Sequence, residues 1–535
     1  MAIVVGVAPL GLVLLARRAL AGDVASRVLA GALAWTVLSG LVSGAPRSAL
    51  LGFAGRDLSA LTVVGASGFW MIGRNMSHRG RSLLVEVLVW STSACALVGI
   101  LQVVADVQQG PLRLLAGRPT GFVTNPVYFG ALASAGLVAA TLCWGPSWRR
   151  MTLPVVVLGI ATSLSGSRVA LMAAILTLLA QAVFIRRREI WMACGLAFAA
   201  IAGGVLLDRT VGAGRNAASR LGETAEIASG DGRFTVWRYG FEAWLDRPIL
   251  GHGFGRFRPA VQGKFSPSFV RDHAADEVVQ PWFDPHNVGV GVLVATGIIG
   301  VVLFLTWAFI WGRSVGGPLV WLLVPIALHW LLQPVSLFTL PLAMLVFAAA
   351  GAPEVVSRDA LALDRWLKSA IAVGLVLGLS LLLVDASFQR ALQREDAGGL
   401  DAIASLVGDD PILADVVAQA YSFDGDLEAE IEWRERAAST EPDRPFWWSR
   451  LADVQRRADL FDEAESSLDR AFELQPYNQR TQLVEILLAL HAEDEKRLDA
   501  ALAVACELGQ SDCTLDAATL IEQRQDAEAE SSASP

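Results

Sequence analysis

The sequence predicts an all-α protein that crosses a membrane about twelve times and ends in a helical-repeat domain. Three observations support this fold class: a high apolar content, long apolar runs up to about residue 386, and a 34-residue periodicity beyond it. Hydrophobic residues make up 54% of the 535 residues and charged residues only 18%, which is too apolar for an ordinary soluble protein. The acidic residues are concentrated in the tail, and no basic stripe interleaved with aromatic residues indicates nucleic acid as a partner.

Twelve apolar runs are candidates for membrane spans, because each approaches the length that a hydrocarbon core requires. The first run lacks a small-residue cleavage site and leads into further apolar runs, so we expect it to be a span and not a removed signal peptide. The runs lie at roughly 2–16, 27–44, 57–73, 83–105, 122–144, 151–166, 168–185, 189–207, 287–312, 317–333, 335–350 and 367–386.

Loop charges predict how the spans are oriented. Connections that follow odd-numbered runs carry fifteen Arg or Lys residues, whereas the short even-numbered connections carry five. The positive-inside rule therefore places the odd-numbered connections in the cytoplasm. Both termini and the long loop at 208–286 are then predicted to be extracytoplasmic, as are Arg118 and Arg168. This orientation requires an even number of spans.

The tail contains a repeated pattern. Intervals of 34 residues separate Ala437, Ala471 and Ala505, and the same interval separates Pro442 from Pro476. The spacing is typical of tetratricopeptide repeats, in which helix–turn–helix units stack into a superhelix with a concave face suited to a protein partner. A generic array of helical hairpins would give a similar pattern. The predicted division is a transmembrane domain at 1–386, a linker at 387–409, tetratricopeptide-like repeats at 410–515 and a disordered tail at 516–535.

The five cysteines indicate neither a metal site nor a required disulfide framework. Cys95, Cys143 and Cys194 lie in apolar runs and are expected to pack as small hydrophobic side chains. Cys506 and Cys513 lie seven residues apart in the tail. Two free thiols and a disulfide both remain open for this pair, because a disulfide requires an oxidising compartment.

Two arginines at predicted membrane edges are candidates for binding an anion. Arg168 follows a Ser-Gly-Ser break and begins a new apolar run, where a guanidinium is costly unless it reaches water, an anion or a lipid headgroup. Arg118 lies in a segment rich in turn residues that ends at Asn125 and Pro126, which indicates a shaped loop. An arginine at a span end can also be a snorkelling anchor, and this interpretation stays open.

The long loop carries a second group of candidates. Arg233 and Trp237 are four residues apart, so they share one face of a predicted helix that also carries Arg238. A glycine-rich turn follows at 248–255, and the loop ends at His286 and Asn287, where the chain re-enters the membrane. Two further loop histidines, His252 and His273, are more typical of solvated side chains. Arginine offers a planar fork of donors for phosphate oxygens, and histidine exchanges a proton near neutral pH.

These segments, taken in order, resemble the bacterial O-antigen ligase superfamily, which also holds O-antigen polymerases and protein O-oligosaccharyltransferases. They cover roughly residues 110–310. The family's pattern does not say whether Asp284, which precedes the loop-end histidine, contributes. The matching pieces are Arg118-x-Thr-Gly-Phe-x-x-Asn125-Pro, Ser165-Gly-Ser-Arg168, Gly232-Arg233-x-x-x-Trp237, Pro248-x-x-Gly-x-Gly253, and His286-Asn287 followed by Gly297.

The resemblance implies an integral-membrane, metal-independent glycosyltransferase that uses a polyprenyl-diphosphate-linked glycan as its donor and needs no cofactor. It implies that Arg168, Arg233 and His286 are essential. The arginines would hold the departing diphosphate, and His286 would take the proton of the acceptor hydroxyl or, alternatively, bind the diphosphate. A single displacement would invert the anomeric carbon. The predicted substrate-binding residues are Arg118, Asn125, Trp237, Arg238 and Asn287.

Two other classes of function fit part of the pattern. A transporter or flippase for the same lipid-linked glycan would also use arginines, but it should show repeated halves and polar residues at mid-membrane depth. A non-catalytic scaffold that acts through its repeats would leave the Arg and His set without a role. The acceptor is open among lipid A core, a growing polysaccharide, a protein and a wall polymer. The predicted location is the cytoplasmic (inner) membrane, in contact with its lipids, with the reaction at the outer face.

Overall fold

The computed structural model describes most of the chain and, within the described residues, its regular secondary structure is helical. Two isolated β-bridges, Leu115–Arg118 and Val315–Gly351, join short turns. The described ranges are 2–51, 58–108, 114–115, 117–123, 125–144, 148–211, 217–222, 232–273, 284–333, 335, 339–351, 365–394, 396–407, 410–508 and 516–533.

The helices of the membrane part are α1 Ala2–Leu20, α2 Val24–Leu41, α3 Pro46–Leu51, α4 Ala60–Arg74, α5 His78–Val104, α6 Pro126–Leu142, α7 Trp148–Leu164, α8 Arg168–Ile185, α9 Arg188–Val211, α10 Ala217–Gly222, α11 Gly232–Asp246, α12 Phe257–Gln262, α13 Pro267–His273, α14 Val288–Gly312, α15 Val320–Leu332, α16 Thr339–Ala350 and α17 Arg365–Gln393. Those of the tail are α18 Ala397–Val407, α19 Pro411–Asp424, α20 Leu427–Thr440, α21 Pro445–Arg457, α22 Phe461–Leu474, α23 Gln479–His491, α24 Glu495–Glu507 and α25 Ala517–Ala533.

Each of the twelve predicted apolar runs coincides with one helix, namely α1, α2, α4 to α9 and α14 to α17. Among the described residues, seven of these helices are long and apolar enough to cross a membrane: α1, α2, α5, α8, α9, α14 and α17. The all-α, multi-pass fold class is therefore confirmed.

Two of the shorter helices, α15 and α16, run between the same two levels as α14. At about 1.5 Å per residue, the 13 residues of α15 and the 12 of α16 are short for a bilayer. The C-terminal end of α15 nevertheless meets the start of α14, since Asn287 Nδ2 donates to Leu331 O at 3.1 Å. The end of α16 meets the segment after α14, because Gly316 N donates to Ala350 O at 3.0 Å.

Helix α14 is broken at Gly297, whose φ is 63° and ψ −170°. The break frees backbone groups that a membrane-embedded helix must satisfy within the protein. Two side chains of α2 supply donors: Trp35 Nε1 bonds Thr296 O at 2.9 Å, and Ser39 Oγ bonds Ala295 O at 2.7 Å. The break is thus a built feature that fixes α14 against α2.

The glycine-rich turn of the long loop inserts at this break. His252 N donates to Val294 O and Gly253 N to Ala295 O, both at 2.8 Å, while Ile298 N donates to Pro248 O at 2.9 Å. The approach is so close that a Cβ on Gly297 would meet the backbone of the inserted turn. The glycines of the two last motifs therefore join the loop to α14.

The tail forms consecutive antiparallel helix pairs, α19–α20, α21–α22 and α23–α24, with helices of 13 or 14 residues. Alanines at the 34-residue interval lie in the helix contacts, where Ala437, Ala471 and Ala505 are 0–1% exposed. A larger residue at these positions would separate the packed helices. The prediction of tetratricopeptide-like repeats is confirmed.

Two predicted boundary segments are more ordered than the sequence suggested. In the predicted linker 387–409, α17 continues to Gln393, and α18 buries Leu400 and Ala404 against the first repeat. The tail at 516–535, predicted to be disordered, contains α25; Ala517 packs on α23 and α24, and Arg524 Nη1 donates to Leu490 O at 2.6 Å. The acidic composition was misleading because apolar residues at helical spacing bury one face of α25. The other domain boundaries stay predictions.

The described cysteines lie in the membrane part, apart from Cys506 in α24. Cys95 and Cys194 are buried and Cys143 is half-buried, all three as free thiols. Cys506 is disulfide-bonded, whereas Cys513, the other cysteine of the pair for which the sequence left free thiols and a disulfide open, lies outside the described residues.

Candidate active site

The segment that carries Arg118 is a turn fastened to the end of α5. Gln102 Oε1 accepts hydrogen bonds from the backbone N–H groups of Thr120 and Gly121 at 3.0 and 2.9 Å. Gly121 has a φ of +56°, and a Cβ there would stand 2.5 Å from Cys95 Sγ. The left-handed backbone at Gly121 thus requires glycine. The position of the turn is set by the buried Gln102, which the sequence motifs did not include.

Arg118 reaches from this turn to the break between α7 and α8. Its Nε and Nη2 atoms both donate to Ser165 O, at 3.0 and 2.9 Å. The next helix begins at Arg168, capped by Ser167 Oγ, which accepts from Ala170 N at 3.3 Å. Arg118 therefore caps the carbonyl end of α7 and braces the break, and half-buried Arg168 stands at the N-terminus of α8.

Helix α11 carries Arg233 and Trp237 on one face. Its other face buries Val236 and Tyr239 in a small core of the loop. Arg233 is half-buried, and Trp237 Nε1 donates to Pro285 O at 2.7 Å. This bond ties α11 to the residue that precedes His286.

Arg238 does not share that face. Five residues along a helix correspond to a rotation of about 140° from Arg233. The side chain of Arg238 is 65% exposed and lies 3.6 Å from Glu242. The structure therefore separates Arg238 from Arg233 and Trp237, and its predicted substrate contact stays a prediction.

His286 has an unusual backbone conformation that Asp284 holds in place. Its φ is +54°, a region that residues other than glycine rarely occupy and that clusters at functional sites. His286 N donates to Asp284 Oδ1 at 2.7 Å, and His286 Nδ1 lies 2.9 Å from Asp284 O. A carbonyl can only accept, so Nδ1 carries the proton and the imidazole lone pair is on Nε2. Asp284, left open by the sequence, thus fixes both the position and the tautomer of His286.

Two predicted substrate-binding asparagines act as helix caps. Asn125 Oδ1 accepts from Val127 N at 2.8 Å at the start of α6, and Asn287 Oδ1 accepts from Val290 N at 3.0 Å at the start of α14. An N-cap of this kind contributes about 1 kcal/mol. The structure thus shows a structural role for both residues, and their predicted contact with substrate stays a prediction.

His252 is half-buried in the structure, whereas a loop histidine was expected to be solvated. Its Nε2 lies 2.8 Å from Ala243 O, which joins the glycine-rich turn to α11. Burial is the main cause that lowers the pKa of His252, and the positive charges of Arg247 and Arg256 lower it further. The hydrogen bond to Ala243 O and the negative charge of Asp246 oppose this shift but do not cancel it. His252 is therefore a neutral structural side chain at neutral pH.

Residues 153–305 match the model of the family described as O-antigen ligase. This segment is similar to the O-antigen ligase family. The matched segment runs from α7 into α14 and includes Arg168, Arg233 and His286, so the resemblance drawn from the motifs is confirmed. The match indicates surface-polysaccharide biosynthesis by glycosyl transfer, with a lipid-linked glycan as donor and a multi-pass membrane setting.

Other comparisons add little. A solved structure titled "Crystal structure of APC/C hetero-tetramer Cut9-Hcn1" is similar at 13% identity and a TM-score of 0.24, and the match covers 86% of this chain and 76% of that chain. A likeness this low carries no conclusion about fold or function. No curated protein matches the chain.

A second histidine lies beside the ligase site and was not predicted. His329, in α15, is 3% exposed, and its ring lies 6.3 Å from that of Tyr128, near the start of α6. Leu331, two residues further along α15, accepts a hydrogen bond from Asn287, the neighbour of His286. A titratable residue inside a predicted span was the sequence signal that could have identified it.

A series of contacts links the elements that carry the predicted site residues. A Cβ on Gly130 of α6 would touch the α7–α8 break, and α6 meets α15 through the Tyr128–His329 ring pair. Asn287 joins α15 to α14, and Trp237 joins α14 to α11. Among the described residues, no group of three or more His, Cys, Asp or Glu side chains could hold a metal ion.

Proposed function

We propose that the chain transfers or polymerises a polyprenyl-diphosphate-linked glycan onto a hydroxyl acceptor at the outer face of the cytoplasmic membrane. The observation that carries the proposal is the site at one end of the ligase domain. Asp284 O accepts from His286 Nδ1 and so leaves the lone pair of the neutral imidazole on Nε2, and the α7–α8 break presents Arg168 at the N-terminus of α8. A proton acceptor and guanidinium groups are the parts that this transfer needs.

Arg168 and Arg233 would bind the donor diphosphate. A guanidinium stays charged and forms two parallel hydrogen bonds with phosphate oxygens. Arg168 is also at the N-terminus of α8, where the helix dipole favours an anion. Arg118 would act through Arg168, because its own donors hold Ser165 O and so fix the break. This assignment makes Arg118 a positioning residue, and its direct phosphate contact stays a prediction from the motif.

His286 would be the general base. The acceptor hydroxyl oxygen forms a bond to the anomeric carbon of the donor sugar, while the bond from that carbon to the diphosphate oxygen breaks. The hydroxyl proton passes to His286 Nε2, and the electron pair of the broken bond leaves with the diphosphate, which the arginines stabilise. Attack from the face opposite the leaving group inverts the anomeric carbon.

A reconstituted transfer assay tests the proposal. The purified protein, placed in vesicles with a lipid-linked glycan and a hydroxyl acceptor, should form a new glycosidic bond and release polyprenyl diphosphate. Arg168→Lys and Arg233→Lys should lose most activity, because an ammonium cannot reproduce the two-pronged contact. Arg150→Lys is the matched control, since Arg150 lies in the first turn of α7, at the opposite end of that helix from the break, and its side chain is 69% exposed.

The alternatives give different outcomes in the same assay. Full activity of both Lys variants would show that charge alone matters, and a strict divalent-ion requirement revealed by a chelator would contradict the arginine scheme. Movement of the lipid-linked glycan across the vesicle membrane without a new bond would identify a flippase. If the protein neither formed a new bond nor moved the lipid-linked glycan, the scaffold function would be the remaining alternative.

A further inference from the structure

The repeat domain packs directly against the second half of the long loop. The loop segment at 256–270 runs along one row of turns of the repeat array, meeting a new turn every seven residues. Arg256 contacts the turn before α21, Gly263 the turn before α23, and Val270 the end of α24. The loop and the tail must therefore be on the same side of the bilayer.

The first contact is a buried ion pair. Arg256 is 2% exposed and Glu441 is 0% exposed, and Arg256 Nη1 donates to Glu441 Oε1 at 2.7 Å. Its Nη2 donates to Asp443. Such a pair forms only where both partners are held in register, because an unpaired buried charge is strongly destabilising.

The other two contacts extend this docking by apolar packing and close backbone approach. A Cβ on Gly263 would stand 3.1 Å from Leu474 O. Val270 and Leu508 are both buried in a shared cluster with partly buried Phe265 and Tyr477. The turns involved lie at the 34-residue interval of the repeats, so each successive repeat adds one contact.

Arg256 is also linked to the two elements that carry the ligase site. Arg256 N donates to Gly253 O at 3.3 Å, and Gly253 N donates to Ala295 O of α14. His252, in the same turn, is bonded to Ala243 of α11. The docked segment thus begins directly after the turn that joins the loop to α11 and α14.

We propose that the repeat domain positions the catalytic loop, with Arg256 as the positioning residue that fastens the loop to the first inter-repeat turn. This inference rests on the proposed function for its effect on turnover. The repeat domain is then a fixed part of the catalytic unit, docked through its inter-repeat turns.

Hydrogen exchange and turnover of the full-length protein test the proposal together. In Arg256→Met, Glu441 keeps Arg444 and Trp447 as partners, so the repeat should stay folded. Exchange of amides at 256–273 should be about ten-fold faster or more, because hydrogen bonds to charged groups are lost. kcat should fall about ten-fold or more through misplacement of the loop. Leu508→Ala, which removes the partner of Val270 at the far end of the docked segment, should also speed the exchange of the amides at 256–273.

Arg456→Met is the control, since Arg456 is 24% exposed and pairs with Asp453 near the C-terminal end of α21, at the opposite end of that helix from Glu441 and Asp443. Wild-type exchange and wild-type kcat in Arg256→Met and Leu508→Ala would overturn the positioning role. Faster exchange spread over the whole bundle would also overturn it, because the residues would then stabilise the fold generally. The exchange measurement needs no catalysis, so failure of the transfer reaction in the wild type would reject the proposed function and leave the docking tested.

Discussion

Gly297→Ala should loosen the ligase site without touching any predicted catalytic residue. Gly297 has a φ of 63° and a ψ of −170°, a region open essentially to glycine, where another residue costs about 1–3 kcal/mol. The added Cβ would stand 2.9 Å from Leu250 N and closer still to Ile249 O. Since these are backbone atoms, relief requires the loop or α14 to move, which adds about 1–3 kcal/mol. The expected destabilisation is therefore about 2–6 kcal/mol.

The assay is thermal unfolding of the purified protein followed by the transfer reaction. Gly297→Ala should unfold at a lower temperature and transfer more slowly, because the inserted turn holds α11 and α14 together. Gly312→Ala is the control in the same helix, since a Cβ there meets nothing within 4 Å. An unchanged melting temperature and rate in Gly297→Ala would refute the account of the break as a tight junction.

Three further changes test separate parts of the structure. Arg118→Lys should reduce transfer less than Arg168→Lys does, because one donor to Ser165 O remains; equal, complete loss together with lost donor binding would indicate a phosphate ligand. Because the pKa of His252 is lowered in the folded protein, its contribution to stability is complete above the unfolded pKa of about 6.5 and is lost as pH falls below it. The melting temperature of His252→Gln should therefore drop less than that of the wild type between about pH 7.5 and about pH 5.5, roughly one unit on either side of the unfolded pKa. An identical drop in both proteins would exclude this role. Reporter fusions after residues 188 and 313 should read cytoplasmic and a fusion after residue 400 extracytoplasmic; opposite readings would reverse the proposed orientation.

The spans were predictable because bilayer thickness imposes one simple rule, a long apolar run for each crossing. That rule holds even for α15 and α16, whose helices are short but whose apolar runs are not. The break at Gly297 was beyond this rule, since no periodicity reveals which α2 side chain will satisfy a freed carbonyl. Trp35 and Ser39 are more than 250 residues away in sequence from the groups that they bond.

The site was predictable as a set of residue types but not as a set of roles. The motifs led to Arg118 and Asn125, yet the structure uses the first to brace Ser165 O and the second to cap α6. Motifs record which residues a family keeps and do not separate substrate contacts from supporting contacts. Gln102 and His329 lay outside the motifs, and only the folded chain brings them to the site.

The role of His286 can be decided by replacing its two ring nitrogens separately. Asn can mimic the Nδ1–H that donates to Asp284 O, whereas Gln places an amide near the position of Nε2 but cannot accept a proton at neutral pH. If His286 is the base, both variants should lose about 10²–10⁴-fold in turnover and still bind the lipid diphosphate through the arginines. Wild-type turnover should also fall as pH is lowered, because only a neutral imidazole can accept the hydroxyl proton. If His286 binds phosphate instead, Gln should keep much of the activity, Asn should lose donor affinity, and the pH profile should stay flat. The tautomer favours the first outcome, because Asp284 O holds the proton on Nδ1 and leaves the basic lone pair on Nε2.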